Sequence, residues 1–289
     1  MDRLTVVVRR GGVEEARHLV HAVAVSQGAV VEAVGDPSLL TFFRSSAKPL
    51  QALPVVRARR DLDDAEIAIA CASHLARPEQ LAPVRSLLAK APASEDELEC
   101  GAEPTPLEHN CSGKHAAMLA LCRAESWPSD GYRLPEHRCQ QTMLAEVAAA
   151  ADVGPAAIPT GVDGCGVVTF ALPLERMAFA FSRLGGLEGG DRVARAMREY
   201  RDLIRGPSAA DTVLMRALPG WIAKGGAEGL LCAASPDGLG VALKVEDGAT
   251  RAVRSASAAF LARLGLDELE AGVPLTSSRG EVVGEIVPE

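Results

Sequence analysis

A hydroxyl and an amine stand three residues apart at Ser45 and Lys48, within Arg44-Ser45-Ser46-Ala47-Lys48-Pro49-Leu50. If a helix begins at Ser45, the two lie one turn apart on one face, within reach of each other. Serine becomes a useful nucleophile when a base takes its proton, and a lysine held neutral by desolvation can be that base. A second amine opens Lys224-Gly225-Gly226. It reads either as a surface lysine in a glycine turn or as an amine next to a glycine that keeps side chains out of a ligand's way. A second hydroxyl, Ser73 in Ala72-Ser73-His74, follows an apolar helical stretch. There it either bonds the last helical carbonyls or joins the same chemistry.

Lysine usage sharpens this reading. The chain has five lysines, Lys48, Lys90, Lys114, Lys224 and Lys244, against 25 arginines. An ammonium can lose its proton inside a protein and a guanidinium effectively cannot, so the retained lysines mark where to look for proton transfer. Two cysteines also sit where a thiol has little packing reason to be. They are Cys111 in Asn110-Cys111-Ser112-Gly113-Lys114-His115 and Cys165 in Val162-Asp163-Gly164-Cys165-Gly166. Two thiolates, a neutral amine or imidazole and a water could hold zinc tetrahedrally with one open position. Spacing alone favours isolated thiols.

The elements that must position these groups fall in three blocks. Residues 4–34 read as strands, with a turn at Gly11-Gly12 and a hairpin-like connection at Ser26-Gln27-Gly28. Leu40 to Phe43 is extended and leads into the Ser45 helix. Pro49 suits the opening of that helix, whereas Pro54 predicts a kink or break near Ala52-Leu53. From Ala52 to about Leu203 the apolar spacing is mostly helical, most clearly over Ala65–Ala72, Glu79–Leu88, Lys114–Arg123 and Cys139–Ala151. Loops rich in Gly and Pro, Gly101–Cys111 and Pro155–Gly166, separate these segments. Strands return at Gly229–Ala234 and Gly240–Val245 around Ser235-Pro236-Asp237-Gly238, a strong hairpin signal. Thr250–Leu264 reads as a helix stopped by Gly265, and Val282–Val287 as a final strand. Strands, then helices, then strands predict an α+β fold whose two chain ends share one antiparallel sheet beside a helical middle.

At 289 residues and 48% hydrophobic content the chain can bury a full core. We expect one catalytic domain over 1–289, with a sheet part at about 1–44 and 218–289 and a helical part at about 45–217. A net charge of −8 without blocks of like charge, and 3% aromatic residues, argue against nucleic acid and anionic membranes as partners. Seven cysteines, with no signal peptide at Met1-Asp2-Arg3-Leu4, predict reduced thiols in a cytoplasmic protein.

Ser-x-x-Lys with a later Lys-x-Gly is the arrangement of serine β-lactamases and penicillin-binding domains. Their Ser-x-Asn element is missing, since Asn110 is the single asparagine, and Ser73 is the hydroxyl best placed to substitute. The ordered set Gly35-Asp36-Pro37, Arg44 to Pro49, Cys71-Ala72-Ser73-His74, Asn110 to His115, Asp163 to Gly166, Lys224 to Gly229 and Ala242-Leu243-Lys244 with Asp247-Gly248 resembles the class 3, rhizobial-type L-asparaginases of the asparaginase II family. The resemblance runs over nearly the whole chain and departs at Glu14-Glu15-Ala16-Arg17-His18, where the family pattern is Glu-Ser-x-His.

That resemblance implies a β-lactamase-like fold and hydrolysis of L-asparagine to aspartate and ammonia through a serine acyl-enzyme. It implies Ser45 with Lys48 and Ser73 with Lys224 as two catalytic tandems, and Arg44, His74, Asn110, Asp163, Gly164 and Gly226 as substrate-binding positions. It implies Cys111, Lys114 and Cys165 as ligands of one zinc ion that supports the substrate end of the site, and it implies a homodimer. Other readings are a different Ser–Lys hydrolase (a glutaminase, a penicillin-recognising enzyme or an esterase) and a non-catalytic amide-binding homologue.

Overall fold

The first hairpin is built by β-branched and small residues. β1 (Leu4–Arg10) and β2 (Val13–Ser26) are joined by Gly11-Gly12, both at positive φ, and β2 turns through Gln27-Gly28 into β3 (Ala29–Val34). The computed structural model describes residues 3–102 and 104–289. Met1 and Asp2, which bear on the signal-peptide reading, and Glu103, in the Gly101–Cys111 loop, lie outside the described residues. At the other end of the chain β11 (Val282–Pro288) pairs antiparallel with β1, so both chain ends share one sheet, as expected. The sheet runs β10 (Val273–Thr276), β11, β1, β2, β9 (Gly240–Val245), β8 (Leu230–Ala234), β7 (Ile222–Gly225), with β3 also paired to β2. Its fourteen-residue β2 makes this possible, because its first half pairs with β1 and its second half with both β3 and β9.

Between β3 and β7 the chain is mostly helical. A short β4 (Leu40–Phe42) enters a single 3-10 turn over Arg44–Ala47, and α1 (Lys48–Ala58) follows. The helix therefore starts three residues later than Ser45. It also runs unbroken through Pro54, so the break that the kink-or-break reading allowed near Ala52-Leu53 does not occur. Residues Lys48 to Val56 of α1 are all buried, and packing on every side outweighs the one hydrogen bond that Pro54 removes. Next come α2 (Asp64–Ala70), α3 (Pro78–Lys90), α4 (Ser112–Ala124) and α5 (Arg138–Ala151), close to the predicted spans. α2 opens with a reciprocal capping box between Asp63 and Glu66, which fixes the helix that delivers Ser73.

The middle of the chain is not purely helical. β5 (Thr160–Val162) and β6 (Val168–Pro173) join β4 in a second, three-stranded sheet. β6 escaped the helical reading because it is a short, continuously buried apolar run, which periodicity alone cannot classify. Then follow α6 (Leu174–Arg183), α7 (Gly190–Glu199), α8 (Arg201–Ile204) and α9 (Ala210–Ala217) before β7. α6 lies against β2, β8 and β9, and α10 (Val253–Ala262), preceded by a 3-10 turn over Thr250–Ala252, lies against β1, β9 and β11. Gly240 admits α6 to the sheet, since a Cβ there would stand 2.0 Å from the Ala178 carbonyl oxygen.

Candidate active site

Four pieces of chain converge on Ser73. The 3-10 turn and the start of α1 carry Ser45, Ser46 and Lys48, the segment after α2 carries Ser73 and His74, the entry to α4 carries Cys111 and Lys114, and edge strand β7 carries Lys224. Tight contacts set their spacing. Gly113 lets α4 meet α2 so closely that a Cβ would lie 2.2 Å from the Ile69 carbonyl oxygen, and Ser46 Oγ donates to the Lys224 carbonyl at 2.8 Å, tying the turn to β7. Gly226 follows on that edge, where a Cβ would stand 3.0 Å from Ser46 Oγ.

Ser73 Oγ lies 3.0 Å from Lys48 Nζ and 3.2 Å from Lys224 Nζ. Both lysines and the serine are buried, at 1%, 0% and 4% exposure. Lys48 also donates to the Ala72 carbonyl and, at 3.2 Å, to Cys111 Sγ, so all three of its N–H positions have acceptors. Lys224 donates to the Gly225 carbonyl at 2.6 Å and stands 3.8 Å from Asp211 Oδ2. Burial lowers the Lys224 amine to about 7; the charges of Lys48 and Arg205 act the same way, while the Asp211 carboxylate and Cys111 oppose the shift. Lys224 is therefore the amine that sits near its midpoint at neutral pH.

The hydroxyl–amine couple expected from spacing, Ser45 with Lys48, is not hydrogen-bonded. The Lys48 amine turns to Ser73, and among the described residues Ser45 Oγ has no partner. Ser45 is half-buried and follows Arg44, which holds a left-handed φ of +48°. Such a backbone is strained in a residue with a side chain and needs support from its surroundings. Support comes from Arg44 N bonding Thr169 Oγ1 at 3.2 Å and Arg44 Nε bonding Asp163 Oδ1 at 2.8 Å.

Of the predicted substrate-binding residues, Asp163 thus grips Arg44, and the same oxygen accepts Gly164 N at 2.7 Å, leaving Oδ2 without a partner among the described residues. His74 is buried, and burial lowers its imidazole to about 4. Its Nδ1 accepts Ala76 N, so the neutral ring carries its proton on Nε2 and donates it to Ser112 Oγ at 2.8 Å. That ring is a strut between the Ser73 segment and α4. Asn110 is exposed, and its carbonyl accepts His74 N. Ser46 and Ser112 lie inside motifs read from the sequence but were given no role there, and Thr169 and Asp211 lie in none; each matters through a contact made by distant chain.

Cys111, Lys114 and Cys165 do come together, buried, with Lys114 Nζ donating to Cys165 Sγ at 2.9 Å. The hydrogen bond from Cys165, with the charges of Lys48 and Lys114, holds the Cys111 thiol well below its ordinary value, and Cys165 is pushed up in return. Burial opposes the charge of Lys114, but Cys165, Cys111 and Asp163 outweigh it and raise that amine. Among the described residues no group of three His, Cys, Asp or Glu side chains converges as a metal cluster. Two thiols and an amine are the donor set available; Cys111 is held towards the thiolate that suits zinc, while Cys165 and Lys114, both raised, would have to shed their protons to an arriving ion.

A family model described as L-asparaginase II matches residues 6–288. Among solved structures the chain resembles Mglu in its glutamate form, with a TM-score of 0.52 and 13% identity over 89% of this chain and 63% of that one. A second structure of Mglu matches with a TM-score of 0.51 and 13% identity over 87% of this chain and 68% of that one. The native form of Mglu matches at 0.50 and 12%, over 87% and 66%. This chain therefore spans about two thirds of the length of these structures. No curated protein matches it.

Proposed function

Because the chain belongs to the L-asparaginase II family, we propose that it is an amidohydrolase that releases ammonia from the side-chain amide of L-asparagine. The observation that carries this is the buried Lys48–Ser73–Lys224 relay, one hydroxyl between two amines, with the unbonded Ser45 three residues before Lys48 in the chain.

Ser45 Oγ attacks the amide carbon, and its proton passes to Lys48 as the C–O bond forms. Lys48 can accept it after handing one of its own through Ser73 to Lys224, the amine that is neutral above pH of about 7. Catalytic hydrogen bonds are commonly loose without substrate, which fits the turn of Lys48 away from Ser45. The tetrahedral intermediate then expels ammonia, which takes a proton back along the relay. Water hydrolyses the aspartyl ester to give aspartate and free Ser45. Asp163, held by Arg44 through Oδ1, offers its other oxygen, Oδ2, to the substrate's α-amino end. The glycine edge at Gly226 leaves room beside the reacting centre, while His74 and Asn110 hold the Ser73 segment in place.

Cys111, Lys114 and Cys165 would hold one zinc ion. The ion would supply a fixed positive charge that braces the substrate end of the site. The β-lactamase-like fold and the homodimer stay with this proposal on the family resemblance, and the cytoplasmic location on the cysteine usage; no described helix is long and apolar enough to cross a membrane.

The test is ammonia release across asparagine, glutamine, small amides and a penicillin, followed by mass-spectrometric mapping of a trapped acyl-enzyme. Asparagine turnover with the label on Ser45 is expected. A label on Ser73 alone would reverse the roles of the two serines. Asparagine binding without ammonia would leave an amide-binding homologue, and penicillin turnover a different hydrolase.

A further inference from the structure

A cavity of about 320 Å³ opens where the Arg205–Asp211 segment, the end of β7 and the start of α10 meet. Its size is that of a small-molecule site. None of Ser45, Lys48, Ser73, Cys111, Asp163 or Lys224 lines it, whereas Asp211, Gly225 and Gly226 do, so it adjoins the centre described above through the end of β7 without containing the reacting groups.

Three arginines do line it: Arg205, Arg251 and Arg254. No carboxylate among the described residues pairs with any of them. Arg251 Nε donates to His18 Nε2 at 3.0 Å, and Arg254 Nε is buried without a partner. A buried unpaired guanidinium nitrogen costs free energy until an acceptor arrives. The acid in the wall, Asp211, is already engaged by Gly225 N, Thr212 N and Lys224. The cavity also receives the first residues of α9 and α10, neither of which has a side-chain cap. At those helix starts Thr212 N is taken by Asp211 and Val253 N by the Thr250 carbonyl, so it is the three guanidinium groups that supply the positive field favouring an anion. The rest of the wall is mostly aliphatic, with Leu230, Val273 and Ile286 prominent and the hydroxyl residues Ser208 and Thr250 among them.

We propose that this cleft binds a small organic anion, one acidic head on an aliphatic body, and that through Arg205 and Asp211 its occupancy is felt at Lys224. Arg205 holds the Lys224 amine down by its charge, so an anion that neutralises Arg205 lets the amine titrate higher. The other groups facing Lys224 are Asp211 from α9, Lys48 from α1, Cys111 before α4, Cys71 after α2 and Cys232 from β8. They do not line the cleft, Asp211 excepted.

The experiment is calorimetric titration of the full chain with hexanoate, with acetate and hexylamine as controls. Hexanoate should bind more tightly than acetate, hexylamine should not bind, and Arg254→Met should weaken hexanoate by about 10- to 100-fold, the loss of one charge-assisted hydrogen bond. Arg205→Met is the second variant, read in the same way should the first not fold. With only five lysines, ¹³C-labelled lysine NMR resolves Lys224 without any activity assay; saturating hexanoate should raise its titration midpoint. Absence of hexanoate binding, binding unaffected by both arginine variants, or equal binding of hexylamine overturns the site. An unmoved Lys224 midpoint at saturation overturns the coupling.

Discussion

Asp211→Asn should move the pH dependence of turnover towards acid. Asp211 is 1% exposed, and its Oδ2 lies 3.8 Å from Lys224 Nζ, so it is the negative charge that keeps that amine from falling further. At this distance and an effective dielectric constant of about 20, two unit charges interact by about 4 kcal/mol, or about 3 pKa units. Gly225 N and Thr212 N also bond the carboxylate and stabilise it, so a displacement of about 1–3 units is the expected range. The sign follows from the role of Lys224. Below its pKa the amine is protonated and cannot take the relayed proton, so the acid limb of the rate profile reports it, at about 7 in the wild type. Without the carboxylate the charged form is less favoured, and the limb should fall to about pH 4–6. Asparagine saturation curves from pH 4.5 to 9.5, with ammonia as the readout, separate this from a simple loss of activity. The variant should keep a larger share of its plateau rate at pH 6 than the wild type does. An acid limb that stays near 7, or rises, in a folded variant refutes both the ion pair and the assignment of Lys224 as proton acceptor.

Lys48→Arg keeps charge but cannot exchange a proton, so kcat should fall on the order of 10²–10⁴ with the circular dichroism spectrum unchanged; near-normal ammonia release rules out the relay. Cys165→Ser should lose the one zinc per chain expected by elemental analysis, and wild-type protein that is metal-free yet fully active argues against the ion. Gly113→Ala puts a methyl 2.2 Å from the Ile69 carbonyl, so α4 must back away from α2 at a cost of about 3 kcal/mol, lowering Tm by about 5–10 °C. An unchanged melting curve there would mean that the two helices are not locked as described.

Some of this could be read from residue order, because some of it is local. The hairpin at Ser235–Gly238 needs only its turn residues, and α2 to α5 need only apolar residues at helical spacing. β6 could not be read in that way, since Val168 to Leu172 are buried on both faces and carry no alternation. Pro54 misled for a related reason: its penalty is a property of the helix alone, whereas the burial that outweighs it comes from distant chain. The two lysines stood out through their rarity. Their partners did not, because Asp211 reaches Lys224 from another element, and nothing in Ala209-Ala210-Asp211-Thr212 announces an ion pair.

The turn of Lys48 is where the geometry alters the chemistry read from spacing. Three residues in sequence put Ser45 and Lys48 on one face, yet rotatable bonds in the lysine side chain let its amine leave that face. It leaves for a site with three acceptors: the Ala72 carbonyl, Ser73 Oγ and Cys111 Sγ. A buried amine must satisfy its donors somewhere, and Ser45 could have satisfied one. The consequence is a division of labour between the serines. Ser73, fixed between two amines, is poorly free to swing towards a carbonyl carbon but well placed to pass protons. Ser45, half-buried and unbonded on a strained turn, is free to attack but depends on Lys48 for its base. The second couple is therefore needed to make the first one work: Lys224, held near neutrality by burial, takes the proton that Lys48 must shed before it can serve Ser45.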